Sequence, residues 1–310
     1  METLVSRQYA SQDDLHPAID LVLTCRAVEQ IDPWPPIYEL RQHLRLDAQH
    51  GSANVQVWER QSGELAAIAT IWDGMTLIFS IHPQELSEDL MAEILSWGIA
   101  RARALARRVG ERASLFVPIR ADDRQAAALL ERHGCSAEDW TFLRMERPLA
   151  EPIVAPCIPN GFTLRPVSSA QDLAAATVLY QDVFVAGSSI IRDRLALMRT
   201  SDHVQASDIV AVAPDGSLAA FCLCMAGLLD PRHPAHKDGW IDLVGTRLAY
   251  RRLGLGRAIL SAGLRQLRSF GADQALLGTT SWNSAAQRLF AAAGFRLLHE
   301  IRWYAWAEDG

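Results

Sequence analysis

The stretch Ile241-Asp242-Leu243-Val244-Gly245-Thr246-Arg247-Leu248-Ala249-Tyr250-Arg251-Arg252-Leu253-Gly254-Leu255-Gly256-Arg257-Ala258-Ile259-Leu260 governs the reading of this chain. Residues 240–246 have strand character, and residues 254–270 carry the apolar spacing of an amphipathic helix. Between them lies R-x-x-G-x-G. Free backbone N–H groups collect at a helix start, and the macrodipole makes that end positive. Glycines there let a ligand approach the backbone closely, and Arg251, Arg252 and Arg257 add charge. The combination suits a pyrophosphate. A bare G-x-G is equally compatible with a plain glycine-rich turn before a surface helix. Two other phosphate motifs fail. A dinucleotide fingerprint needs glycine or alanine where Ile259 stands, and no Gly-Lys-Ser/Thr ending completes a P-loop.

Working outward, residues 162–167 read as a short strand, 170–184 as a helix and 189–200 as a second helix. Residues 208–213 and 217–228 form strands about the turn Pro214-Asp215-Gly216. After the 254–270 helix come a strand at 275–281, a helix at 284–293 and strand character at 295–306. Strands alternating with helices imply an α/β domain, with helices packed on a mixed (α+β) sheet. The first half repeats the plan. Strands are expected at 55–59, 65–72, 76–81 and 114–118, with helices at 89–106 and 124–132. Asp123, Ala126, Leu129 and Gly134 have the spacing of Asn283, Ala286, Leu289 and Gly294, which points to duplication. Between the halves, Pro148, Pro152, Pro156 and Pro159 resist helix and central strand. The expected division is a first domain at 1–147, a proline-rich linker at 148–160 and a second domain at 161–310.

The second half resembles the GNAT acyltransferases. The resemblance rests on the strand–R-x-x-G-x-G–helix unit followed by N-x-x-A-x-x-L-F-x-x-x-G-F, here Asn283, Ala286, Leu289, Phe290, Gly294 and Phe295. It covers about 150 residues, and the chain as a whole resembles two tandem GNAT-like acyl-CoA N-acyltransferase domains. The resemblance implies acetyl-CoA or another acyl-CoA as co-substrate, lying in a gap between two splayed strands. It implies that Leu243, Val244, Gly245 and Thr246 face the pantetheine. Arg251, Arg252, Leu253, Gly254, Leu255, Gly256 and Arg257 would hold the pyrophosphate, with Asn283 and Phe290 beside the pantetheine arm. The implied reaction is direct acetyl transfer to a primary amine of a small molecule. The tandem arrangement also resembles mycothiol synthases, which acetylate a cysteinyl amine. The remaining alternative is a non-catalytic acyl-CoA-binding module.

An attacking amine must lose a proton, and a carboxylate can take it through water. Asp242, nine residues before Arg251, is the candidate general base; the competing reading is a strand-end cap or arginine partner. The resemblance implies a tyrosine that protonates the departing thiolate, but Phe290 stands there and has no hydroxyl. Water, Tyr304, Ser281 or Thr280 could substitute, and a thiolate with a pKa near ~8.5 is a tolerable leaving group. His233 and His236 sit in the loop before the cradle strand, as surface or acceptor-side residues. In the first half the cradle positions carry Glu88, Asp89 and Met91, with Asp89 aligned on Gly254 and Met91 on Gly256. Carboxylates there would repel a pyrophosphate, so the first domain is expected not to bind acyl-CoA.

With 310 residues and 49% of them apolar, the chain can bury two cores. A net charge of −6 without a basic block argues against a nucleic-acid partner. No apolar run is long enough to span a membrane and the first residues lack signal-peptide character, so the expectation is a cytoplasmic protein. The five cysteines are scattered and suit reduced thiols, Cys222 and Cys224 by packing. No metal ligand set is evident, and the oligomeric expectation is a monomer or homodimer.

Overall fold

The computed structural model describes residues 4–9, 12–27, 37–50, 53–184, 204–227 and 238–308. The helix expected at 189–200 and the loop holding His233 and His236 lie outside them. The chain forms two compact units, one of Met1–Phe142 with His299–Gly310 and the other of Leu143–Leu298.

The first unit contains β1 (Val5–Gln8), α1 (Leu15–Ala27), α2 (Ile37–His50), β2 (Val55–Glu59), β3 (Leu65–Trp72), β4 (Thr76–Ile81), α3 (Glu88–Val109), β5 (Ser114–Arg120) and α4 (Arg124–Arg132). Strands β1 to β4 pair antiparallel in chain order, and β4 meets β5 in parallel at Thr76↔Phe116. One face of the sheet packs under α3 and α4 through Ile71, Leu77, Ile94 and Leu129. The other packs under α1 and α2 through Ile19, Leu40, Leu44 and Ile68.

The second unit repeats this order. It holds β7 (Thr163–Pro166), α5 (Ala170–Val183), β8 (Val204–Val212), β9 (Leu218–Gly227), β10 (Asp238–Thr246), α6 (Leu255–Ser269), β11 (Gln274–Thr280) and α7 (Ser284–Ala292). Strands β7 to β10 are antiparallel, and β10 pairs parallel with β11. Ile241, Ile259, Leu264 and Leu277 build the core beneath α6 and α7. Leu179, Tyr180, Val210 and Phe221 build the core beneath α5.

The duplication extends to individual bonds. Arg7 on β1 grips Asp14 with both terminal nitrogens at 2.9 and 2.8 Å, and Arg165 on β7 grips Asp172, also seven residues on, at 2.9 and 2.8 Å. Asp123 and Asn283 both cap their helices by accepting from the N–H three residues on. Gly134 and Gly294 follow those helices in the left-handed region, at φ 81° and 89°.

Two strands link this plan in ways the proline pattern does not announce. β6 (Ser136–Pro148) runs through the division at Phe142 and Leu143, and β12 (Arg296–Ala307) returns to the first unit from His299. Residues Ile301 to Ala307 pair antiparallel with β5, so the chain's last strand belongs to its first sheet. The expected linker is a strap on the second unit. Leu149 is buried in the core with Ile153 packed against it, and the Ser261 hydroxyl on α6 donates to the Val154 carbonyl. Arg147 donates to the Pro152 carbonyl at 2.8 Å. Cys222 and Cys224 are buried; a side chain at Gly263 on α6 would meet the Cys222 Sγ at 2.4 Å. Burial pushes the Cys224 thiol up to about 12, as befits a packing role.

Asp208 on β8 is buried and accepts a hydrogen bond from the Tyr180 hydroxyl. Burial pushes its carboxyl up to about 7. This lies above the unfolded value of ~3.9, so the bound proton stabilises the fold. That contribution is complete below about pH 4 and is lost as pH rises through about 7. Urea midpoints at pH 5 and pH 8 should therefore diverge more for the wild type than for Asp208→Asn. An equal change in both proteins would refute the assignment.

Candidate functional site

β10 and β11 pair at Asp238↔Gln274, Gly239↔Ala275 and Trp240↔Leu276, and nowhere beyond. β10 then continues to Thr246 held by β9 alone, while β11 continues to Thr280. Past Trp240 the two strands are no longer paired with each other, and each presents a main-chain edge the other leaves open.

At the mouth of the gap the chain turns through Arg252 (φ 68°) and Gly254 (φ 90°), both left-handed. Gly254 is the N-cap of α6 and no side chain caps the helix, whereas α3, α4, α5 and α7 begin on Ser87, Asp123, Ser169 and Asn283 caps. The N–H groups of Arg257 and Ala258 return to the Gly254 carbonyl. The preceding N–H groups are left for a ligand, at the positive end of a 15-residue helix. A methyl group on Gly256 would come no closer than 3.5 Å to Leu289. Packing therefore does not demand glycine there, and the open space suits close approach of a ligand. Gly245 is different: its added carbon would lie 2.6 Å from Val183 and 2.9 Å from the Phe221 ring, so glycine lets α5 close on β10. Arg251 donates from Nε to the Thr246 carbonyl at 3.1 Å, tying the turn to the end of β10. Arg252, Leu253 and Arg257 are exposed, while Leu255 is buried in the core.

Asp242 is the extra residue of a bulge between Ile241↔Cys224 and Leu243↔Leu223. Ile241 and Val244 pack towards α6 and Leu243 towards α5, so the bulge resets the alternation of β10. Asp242, the bulged residue, is part-buried and lies just beyond the last β10–β11 pair. Asn283 Oδ1 accepts from Ala286 N–H at 3.2 Å, leaving its amide donors outside that bond. Phe290 is 4% exposed and packs in the core with Phe295. Among the hydroxyls that could replace a tyrosine, Tyr304 is buried in the first unit's core. Thr280 ends β11 and Ser281 follows it, both in the second unit.

The first unit shows the same helix start closed. The Ser87 Oγ accepts from the Leu90 N–H at 3.3 Å, and Glu88 and Asp89 occupy the first turn. Aligning helix starts sets Ser87 on Gly254 and Asp89 on Gly256, two residues from the sequence alignment. The reason is the connecting loop. After matching 3₁₀ turns at Pro83–Glu85 and Leu248–Tyr250, two residues (Leu86, Ser87) lead into α3 where four (Arg251 to Gly254) lead into α6.

Residues 177–295 match the acetyltransferase (GNAT) family. The second unit carries a GNAT-family domain. The mycothiol acetyltransferase of Thermobispora bispora is 31% identical over 177 residues, 56% of this chain and 59% of that protein. The mycothiol acetyltransferase of Salinispora arenicola is 28% identical over 300 residues, 92% of this chain and 90% of that protein. The match thus spans about three-fifths of the first relative's length and most of the second's. A GCN5-related N-acetyltransferase structure from Sphaerobacter thermophilus has a TM-score of 0.74 at 21% identity, covering 98% of this chain and 95% of that one. A tandem GNAT protein from the clavulanic acid biosynthesis pathway has a TM-score of 0.73 at 16% identity, covering 99% of both chains. These structures support a tandem GNAT fold. No helix among the described residues is long and apolar enough to cross a membrane. Among them no cluster of three or more metal-ligating side chains occurs.

The two strand-and-turn glycines should behave oppositely in thermal unfolding. Gly245→Ala should lower stability by about 1–3 kcal/mol through overpacking, and Gly256→Ala should leave the melting temperature unchanged or slightly raised. A stable Gly245→Ala protein would contradict the packing account.

Proposed function

We propose that the protein is an acetyl-CoA-dependent N-acyltransferase acting on a primary amine of a small molecule. The observation that carries this is the gap that opens between β10 and β11 past Trp240 and Leu276, with the uncapped start of α6 at its mouth. Leu243, Val244, Gly245 and Thr246 would run beside the pantetheine. The turn from Arg251 to Arg257 would hold the pyrophosphate through main-chain N–H groups, and the Asn283 amide would reach the pantetheine arm. What supports this reading is that α6 starts without a side-chain cap and that β10 offers a main-chain edge unpaired with β11.

In the reaction the amine nitrogen attacks the thioester carbonyl, and the C–S bond breaks after a tetrahedral intermediate. Asp242, just past the last β10–β11 pair, takes the amine proton through water. A β10 main-chain N–H between Val244 and Thr246 stabilises the oxyanion. The thiolate leaves and takes a proton from water or from the Thr280 or Ser281 hydroxyl, since Phe290 has none. A second reading concerns the acceptor. The relatives named mycothiol acetyltransferase favour a cysteinyl amine, the acceptor class of mycothiol synthesis.

Calorimetric titration with acetyl-CoA should give one site per chain, lost in Gly254→Glu while circular dichroism stays unchanged. Absence of binding to the wild type would remove the basis of the proposal. With an amine panel that includes a cysteinyl amine, Asp242→Ala should lower kcat by ~10²–10⁴-fold and keep acetyl-CoA affinity. Tight binding without thioester cleavage by any amine would instead favour a non-catalytic binding module.

A further inference from the structure

The first unit, which lacks the acyl-CoA turn, has a cavity of its own. It measures about 330 Å³ and lies between one face of α4 and the strands β5 and β12. Three guanidinium groups line it, from Arg120, Arg124 and Arg302, against the single carboxylate of Glu131. Arg120 is fixed by Asp122, with contacts of 2.8 and 2.6 Å. Arg124 and Arg302 are exposed and make no ion pair among the described residues. Arg124 is also the first residue of α4, directly after the Asp123 cap, whose carboxylate accepts from the Ala126 N–H. Ala127 and Ala128 on the same helix face leave the space.

A second observation points to a ligand. Tyr304 is 1% exposed, lines this cavity and donates its hydroxyl to no group among the described residues. Its ring is enclosed while its hydroxyl keeps access to the cavity, where a ligand oxygen can accept from it. The charged set is particular to the first unit. Aligning the Asp123 and Asn283 caps puts Ser284 where Arg124 stands, Ala291 where Glu131 stands and Thr280 where Arg120 stands. The duplicated helix in the acyl-CoA unit thus has none of these three charges.

We propose that this cavity is a second small-molecule site, for a ligand carrying a carboxylate or phosphate group. Arg124 and Arg302 bind the oxyanion, the Tyr304 hydroxyl donates to it, and Glu131, two helical turns from Arg124, accepts from an N–H or O–H at the ligand's other end. The volume lies at the lower end of the range for small-molecule pockets. The site is independent of the acyl-CoA gap.

Inorganic phosphate and succinate serve as probes, titrated into the full-length protein at constant ionic strength. At least one should saturate. The double variant Arg124→Ala/Arg302→Ala should weaken that binding at least tenfold, and Tyr304→Phe severalfold, with acetyl-CoA titrations unchanged in both. Phosphate held at the start of α6 instead would bind the double variant as it binds the wild type, and that result overturns the proposal. So does the failure of both probes to saturate.

Discussion

The β10–β11 pairing lasts for three residue pairs and then stops, and the candidate site depends on that stop. Main-chain hydrogen-bonding groups in a sheet are ordinarily consumed by neighbouring strands. Here β9 satisfies one edge of β10 up to Thr246, and the other edge is released from β11 past Trp240. The released strand edge, the bulged Asp242 and the uncapped helix start therefore occur within one short segment. The bulge matters because strict alternation would have sent Leu243 towards α6 and Val244 towards α5.

The two units use the same physical resource in opposite ways. A helix start offers free N–H donors and positive potential wherever it occurs. The first unit spends them internally, on the Ser87 hydroxyl and beside the carboxylates of Glu88 and Asp89. The second withholds any internal partner by ending its turn on Gly254. The difference lies in loop length as much as in residue type. Two extra residues give the second unit room for the left-handed turn through Arg252 and Gly254.

Much of this was legible in the sequence because the signals are local. The cradle strand, its glycine turn, the α6 amphipathic pattern and the Asp123 and Asn283 spacing each depend on near neighbours, and each recurs in the structure. The first-unit alignment slipped by two residues because a loop deletion leaves no trace in apolar periodicity. Gly245 reads as a ligand contact in the motif, yet its tight approach to Val183 and Phe221 involves residues far away in sequence. Likewise, Tyr304 looked available as a hydroxyl near the second site until β12 placed it in the first unit. Strand exchange is invisible to composition, since β12 would satisfy any open sheet edge of suitable register.

That exchange bears on how the protein is made. β5 is translated before the second unit, but the strand that covers it follows the second unit in sequence. Until then β5 has an unpaired edge, and unpaired edges invite association with other chains. The order of synthesis and the order of completion are thus reversed for the first unit. A fragment ending at the proline segment would carry that unfinished edge permanently, so the first unit's sheet is finished only by a strand that follows the second unit.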